Sequence, residues 1–245
     1  MTAYPRVAVV VTSFNRPRML RECLLSVAAA RPDEVFICDD GSDCLTETGR
    51  PMSIHRIVGF AFYYRVKYLV LSNPPIPPAI RMVAPRQGAL INRALDLVEC
   101  EITTLICDDD IMHPGWLDAV RMHFWEQPQR ELVRGDWLQF EDGQTPSERD
   151  EECPLDARQM TAGNFAWHSS LHRERGVRWS EEDLNCLDNS FLDACRKKHI
   201  GVFGVPNLGI AGWRREHPKA NGNYANGRAG HRPEFMDILA AGALE

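Results

Sequence analysis

The sequence predicts an α/β domain built on a mostly parallel sheet, and three observations carry that prediction. A β-branched apolar run from Val7 to Val11 contains no polar position, as a strand covered on both faces requires. A helix-periodic stretch and a second strand, Glu34 to Cys38, follow it directly, giving the strand–helix–strand unit of a parallel sheet. A third apolar run ends in three consecutive carboxylates, Asp108, Asp109 and Asp110. Three acids cannot enter a core without partners. They belong at a strand's carboxyl end, where open α/β sheets bind ligands. A divalent cation with a diphosphate would relieve their mutual repulsion. Taken alone, the same stretch also reads as a solvated acidic turn.

In chain order, Thr12 to Arg16 ends the first strand and a helix begins near Pro17, with Leu20, Cys23, Leu24 and Val27 on one face. Pro32 closes that unit, and Asp39-Asp40-Gly41-Ser42 stops the second strand. Phe60 to Leu71 is rich in aromatic and β-branched residues and is expected to contain a strand. Pro74, Pro75, Pro77 and Pro78 then impose a loop. Arg81 and Arg86 flank the entry to a helix carrying Leu90, Ile91, Ala94 and Leu95. Ile102 to Cys107 is the strand before the acids, and Trp116 to Phe124 is the helix after them.

The second half is less regular. Leu132-Val133 and Trp137 to Phe140 read as short strands around Gly135-Asp136. Residues 141–154 read as a polar surface loop, Glu181 to Lys197 as a helix and Ile200 to Val205 as a short strand. Gly212 to Gly230 is Gly-, Asn- and basic-rich, which predicts a flexible segment, and Phe235 to Leu244 a short terminal helix. A subdomain boundary is expected near residue 130.

Bulk properties bound the function. A chain of 245 residues holds one large α/β domain or two small ones. A formal charge of -6 disfavours nucleic acid as the partner. None of the eight cysteines forms a Cys-x-x-Cys pair, so reduced thiols in a cytoplasmic protein are expected rather than a disulfide frame. No apolar stretch is long enough to span a bilayer, so no integral membrane segment is expected and any membrane contact would be peripheral. Gly-x-Gly-x-x-Gly after Val11, a Walker-type phosphate loop, a Gly-x-Ser-x-Gly elbow and His-Glu-x-x-His are all missing. Phosphate binding would therefore rest on a metal and arginines.

The motifs taken together resemble a known family. Val9-Val10-Val11-Thr12-Ser13-Phe14-Asn15-Arg16, Ile37-Cys38-Asp39-Asp40-Gly41-Ser42, Arg86-Gln87-Gly88-Ala89-Leu90-Ile91-Asn92-Arg93-Ala94 and Asp108-Asp109-Asp110-Ile111-Met112-His113-Pro114 succeed one another as in family 2 glycosyltransferases with the GT-A fold. The likeness is to the spore-coat polysaccharide branch, and residues 6–125 carry it. It implies a mostly parallel, Rossmann-like sheet flanked by helices. Residues 1–125 would be the nucleotide-sugar-binding half. Residues 126–245 would be a smaller, mixed acceptor-binding half with a C-terminal lid, within a single domain.

The resemblance also implies roles. Thr12 and Phe14 would lie by the base, Asp40 would accept the imide N–H of uracil or thymine, and Asp39 would support that strand end. Arg81 and Arg86 would reach the base or diphosphate. Asp108 would sit near the ribose. Asp109 and Asp110 would hold Mn2+ or Mg2+, with His217 as a further candidate ligand. Asp188 would be the base for the acceptor hydroxyl, with Glu182 and Asp183 as alternatives. Trp167 and His168 would line the acceptor pocket. The implied activity is inverting, metal-dependent sugar transfer from a UDP- or dTDP-sugar to a hydroxyl on a glycan or small metabolite. A metal-dependent nucleotidyltransferase and a non-catalytic nucleotide- or glycan-binding module are the alternatives.

Overall fold

The computed structural model of the chain describes residues 4–42, 54, 57–58, 66–75, 86–141, 144–147, 160–161, 163–182, 187–202 and 205–216. Its elements are β1 (Val7–Ser13), α1 (Pro17–Ala29), β2 (Glu34–Asp39), β3 (Lys67–Ser72), α2 (Gln87–Leu95), β4 (Ile102–Cys107), β5 (Ile111–Met112), α3 (Trp116–Glu126), β6 (Leu132–Glu141), β7 (Phe165–His168), α4 (Ser170–Arg173), α5 (Leu187–Lys197) and β8 (Asn207–Glu216). The strands form one sheet in the order β3-β2-β1-β4-β7-β6-β8-β5. β1, β2, β3 and β4 are mutually parallel, as are β6 and β8, while β7 and β5 pair antiparallel to their neighbours. This is the α/β, mostly parallel architecture expected from the sequence.

β1 lies between β2 and β4, and every one of its residues is buried. Alternation divides its side chains between the sheet's two faces. Val7, Val9 and Val11 pack under α1 and α3 with Leu20, Leu24, Trp116, Leu117 and Val120. Ala8 and Val10 pack on the other side with Leu90, Ile91 and Ala94 of α2, Phe191 of α5, and Trp167 and Trp179. Helices on both faces explain why β1 needed an unbroken apolar sequence. α1 starts with Pro17 at its first position, where the missing N–H costs nothing.

Three parts of the second half differ from the sequence prediction. β6 is one strand, not two: Gly135-Asp136 falls at an irregularity in its pairing with β8, and the Gly135 N–H turns instead to Asn164 O at 2.7 Å. The described part of Ile200 to Val205 carries no strand, although Ile200 and Val202 are buried. The strand lies further on, at Asn207–Glu216, and takes in the start of the segment read as flexible. Its glycines and arginines masked the strand pattern. Gly212 is the place where β8 touches β5, for a Cβ there would lie 2.3 Å from Ile111 O. Arg215 is buried because it pairs inside the protein. The remainder of that segment from 217 and the expected terminal helix lie outside the described residues.

Candidate functional site

The register places the carboxyl ends of β2, β1 and β4 side by side, with Ser13 opposite Asp39 and Thr12 opposite Cys107. Two bonds tie the turns beyond these ends together. The Asp40 N–H donates to Ser13 O at 2.9 Å, and the Asp108 N–H donates to Thr12 O at 3.0 Å. Thr12, Phe14, Asp39, Asp40, Asp108, Asp109 and Asp110 therefore share one edge of the sheet, as their positions in sequence suggested.

On the β2 side, Asp40 is buried and its Oδ1 accepts from Asn73 Nδ2 at 2.9 Å. Arg86, the residue that leads into α2, places its Nε 3.4 Å from the same oxygen, while its Nη2 donates to Pro74 O at 2.6 Å. The Arg86 Nη1 is buried and has no hydrogen-bond partner among the described residues. Asp39 holds Ser42 through its backbone N–H and hydroxyl, and the Ser42 hydroxyl accepts from the Asn15 N–H at 2.9 Å. Asp39 thus supports the strand end.

On the β4 side, Asp108 is buried and accepts from the Phe14 N–H at 3.2 Å and from Arg16 Nη1 at 3.2 Å. Burial pushes its carboxyl up to about 6; Arg16 pulls it down, and Asp109 pushes it up again. Asp109 also pairs with Arg16. Burial, then the neighbouring Asp109 charge, raises Asp110 well above the ordinary carboxylate range. Arg215 arrives from β8. Its N–H lies 3.4 Å from Asp110 Oδ1, its Nε donates to Asp109 O at 3.0 Å, and its guanidinium pairs with Glu22 of α1 above the Phe140 ring.

Sequence reasoning gave no role to Arg16, Arg215 or Glu22. Arg16 was visible, standing between the end of β1 and the helix-starting Pro17. Arg215 was hidden in the segment read as flexible, and nothing local links it to Glu22.

Cys107 Sγ and carboxylate oxygens of Asp109 and Asp110 lie within 4.8 Å of one another. The two carboxylates are the oxygen donors that a hard divalent cation such as Mg2+ or Mn2+ takes, whereas a cysteine sulfur is the donor of softer metals. Asp109 and Asp110 therefore fit the implied cation, and Cys107 adds nothing specific to it.

The two residues expected to line the acceptor pocket, Trp167 and His168, take the following places. Trp167 is fully buried, packed on Phe165, Trp179 and Phe191, with its indole N–H donated to His172 Nδ1 at 3.2 Å. His168 pairs opposite Ile102, at the start of β4. The acids follow the other end of β4, about 16 Å away at ~3.3 Å per residue. Antiparallel pairing of β7 is what reverses the two residues to the far edge. Glu182 is exposed beyond Ser180, its N–H donated to Ser180 Oγ at 3.2 Å. Asp188 falls in the first turn of α5, but its side chain lies outside the described residues, as do Arg81, Asp183 and His217.

No protein-family model matches the chain. Over 130 residues it is 28% identical to Protein CgeD of Bacillus subtilis (strain 168), a match covering 52% of this chain and 28% of that protein. The crystal structure of S. aureus TarS superposes with a TM-score of 0.62 at 15% identity, over 98% of this chain and 40% of that one. A shorter TarS chain in complex with UDP-GlcNAc also gives 0.62, at 13% identity, over 98% of this chain and 67% of that one. M. tuberculosis glucosyl-3-phosphoglycerate synthase gives 0.54 at 17% identity, over 97% of this chain and 81% of that one. The fold is GT-A-like. At these identities the likeness carries the fold, and the chemistry has to be argued from the site. No described helix is long and apolar enough to cross a membrane.

Proposed function

We propose that this chain is an inverting, metal-dependent glycosyltransferase moving a sugar from a UDP- or dTDP-sugar to an acceptor hydroxyl. The observation that carries the reading is the row of groups along one sheet edge: Asp40 with Arg86 at one end, Asp108, Asp109 and Asp110 at the other. A uracil or thymine edge presents an imide N–H between two carbonyl oxygens. In this reading Asp40 accepts from the N–H, and the buried Nη1 of Arg86 donates to a carbonyl beside it. Cytosine and adenine carry an acceptor at that ring nitrogen and would meet Asp40 acceptor to acceptor. The TarS complexes with UDP-GlcNAc and with UDP, in a protein of like fold, support the assignment.

Phe14 packs on the base, Thr12 lines the same end, and Asp108 faces the ribose. A cation held by Asp109 and Asp110 supplies charge stabilisation to the departing nucleoside diphosphate. Arg81 and His217 are assigned to the diphosphate and the metal. Asp188 takes the proton from the acceptor hydroxyl on the face opposite the leaving group, so that in-line displacement inverts the anomeric centre. Glu182 and Asp183 are the next candidates for that step. The acceptor is a glycan or small metabolite, and the location is cytoplasmic.

Calorimetric titration with UDP in Mn2+ tests the donor site. The folded wild type should bind, and the Asp109→Ala, Asp110→Ala double variant should lose binding at least tenfold. Asp188→Asn should keep UDP binding while transfer from its preferred UDP-sugar falls by about 10²-fold or more. Undiminished transfer by Asp188→Asn removes that residue as the base. UDP binding that survives loss of both acids removes the diphosphate site.

A further inference from the structure

Arg16 occupies an unusual place for a cation. The chain leaves β1 through Asn15, whose φ of 52° is left-handed and turns the following residue back over the strand end. Arg16 is 5% exposed there, with its Nη1 between Asp108 Oδ1 at 3.2 Å and a carboxylate oxygen of Asp109. Asp109 is also one of the three groups whose ligand atoms converge for a cation. One carboxylate is thus claimed both by a fixed guanidinium and by the ion the site would hold.

The two claims conflict electrostatically. A divalent ion held by Asp109 and Asp110 would add positive charge beside a buried guanidinium that cannot lose its proton. Like charges in so dry a place repel strongly unless an anion lies between them. A nucleoside diphosphate is such an anion, and its oxygens can take over both the ion and the guanidinium fork. Arg16 keeps Asp108 as a partner throughout, so giving up Asp109 does not strand it. Arg215 cannot serve the same purpose, because its guanidinium is committed to Glu22 and to the Asp109 carbonyl.

We propose that Arg16 is a built-in counter-ion that withholds Asp109 from a divalent cation until a nucleoside diphosphate binds, so that cation and nucleotide enter as a pair. This rests on the diphosphate-site reading above. Its thermodynamic signature is reciprocal coupling: the nucleotide raises cation affinity, and the cation raises nucleotide affinity by the same factor. Arg16 is a positioning residue in this scheme.

The test titrates Mn2+ into the protein and follows free Mn2+ by electron paramagnetic resonance, with and without saturating UDP. In the wild type, UDP should tighten Mn2+ binding at least tenfold. In Arg16→Met, Mn2+ alone should bind at least tenfold tighter than to the wild type, and the gain from UDP should shrink below threefold. Arg16→Lys keeps a charge, but its ammonium is on a shorter, more flexible stem and is more strongly hydrated than the guanidinium, so it should hold the two carboxylates more weakly and fall between. Circular dichroism checks that each variant is folded; if Arg16→Met is not, Arg16→Lys decides. A folded variant with wild-type Mn2+ affinities in both conditions overturns the proposal and leaves the diphosphate site standing. A wild type that binds neither Mn2+ nor UDP overturns both.

Discussion

At the scale of single residues, burial decides what each polar group can do. Asp40, Asp108 and Asp110 are all nearly inaccessible, yet each is met by a donor: Asn73 and Arg86, Phe14 and Arg16, and the Arg215 N–H. His172 is the counter-case away from the site. It is buried, accepts from the Trp167 indole at Nδ1, and has no partner for Nε2 among the described residues. Burial pushes its pKa down to about 4, with Arg173 next in effect. The unfolded chain takes up this proton near pH ~6.5 and the folded chain only near 4, so His172 costs stability progressively as pH falls through that window. Asp108, held up at about 6, acts in the opposite sense over the same range, so the variant difference is the useful quantity. Between pH 7 and pH 5 the wild type should lose about 2 kcal/mol of stability relative to His172→Gln, measured by urea unfolding. Parallel pH profiles for the two proteins would refute it.

At the scale of elements, α2 shows how a sequence motif positions a distant segment. Gly88 lets the helix approach so closely that a Cβ there would lie 2.0 Å from Ser180 O. One turn on, Asn92 clasps the same segment: its Nδ2 donates to Trp179 O and to Glu181 at 3.0 Å each, and its Oδ1 accepts from the Trp179 N–H at 3.0 Å. The segment holds Trp179 against Phe191 of α5, ring centroids 4.1 Å apart. Asn92→Ala would leave the buried Trp179 backbone groups unsatisfied, and should cost about 2–4 kcal/mol in equilibrium unfolding. A change below roughly 0.5 kcal/mol would show that the clasp carries no stability. The apolar periodicity of α2 was legible in the sequence, because Leu90, Ile91, Ala94 and Leu95 repeat at helical spacing. Gly88 and Asn92 were legible only as letters of a motif, since their partners lie some ninety residues away.

At the scale of the whole molecule, the acid turn is held by a strand about a hundred residues further along the chain. β5 begins one residue after Asp110 and pairs with β8, Ile111 opposite Trp213 and Met112 opposite Gly212. The His113 N–H adds a bond to Ala211 O at 2.9 Å. A side chain at Gly212 would strike Ile111 O and stand 2.7 Å from the Trp137 ring. Gly212→Ala should therefore lower thermal stability and weaken UDP binding together, although residue 212 touches no proposed ligand. Unchanged melting and UDP affinity would mean that the pairing does not hold the turn.

The sequence by itself determined the parallel half. β1, β2 and β4 are buried on both faces, so their sequences are mostly apolar with no polar–apolar alternation, and the polar residues that end them share an edge once the strands are parallel. Only the tertiary structure decided which distant groups complete that edge. Arg215 belongs to a strand whose glycines and arginines look like a loop until Gly212 meets β5 and Arg215 meets Glu22. Trp167 and His168 were sent to the opposite edge by the direction of β7. Strand order and direction depend on contacts between residues far apart in the chain, and local patterning carries no record of them.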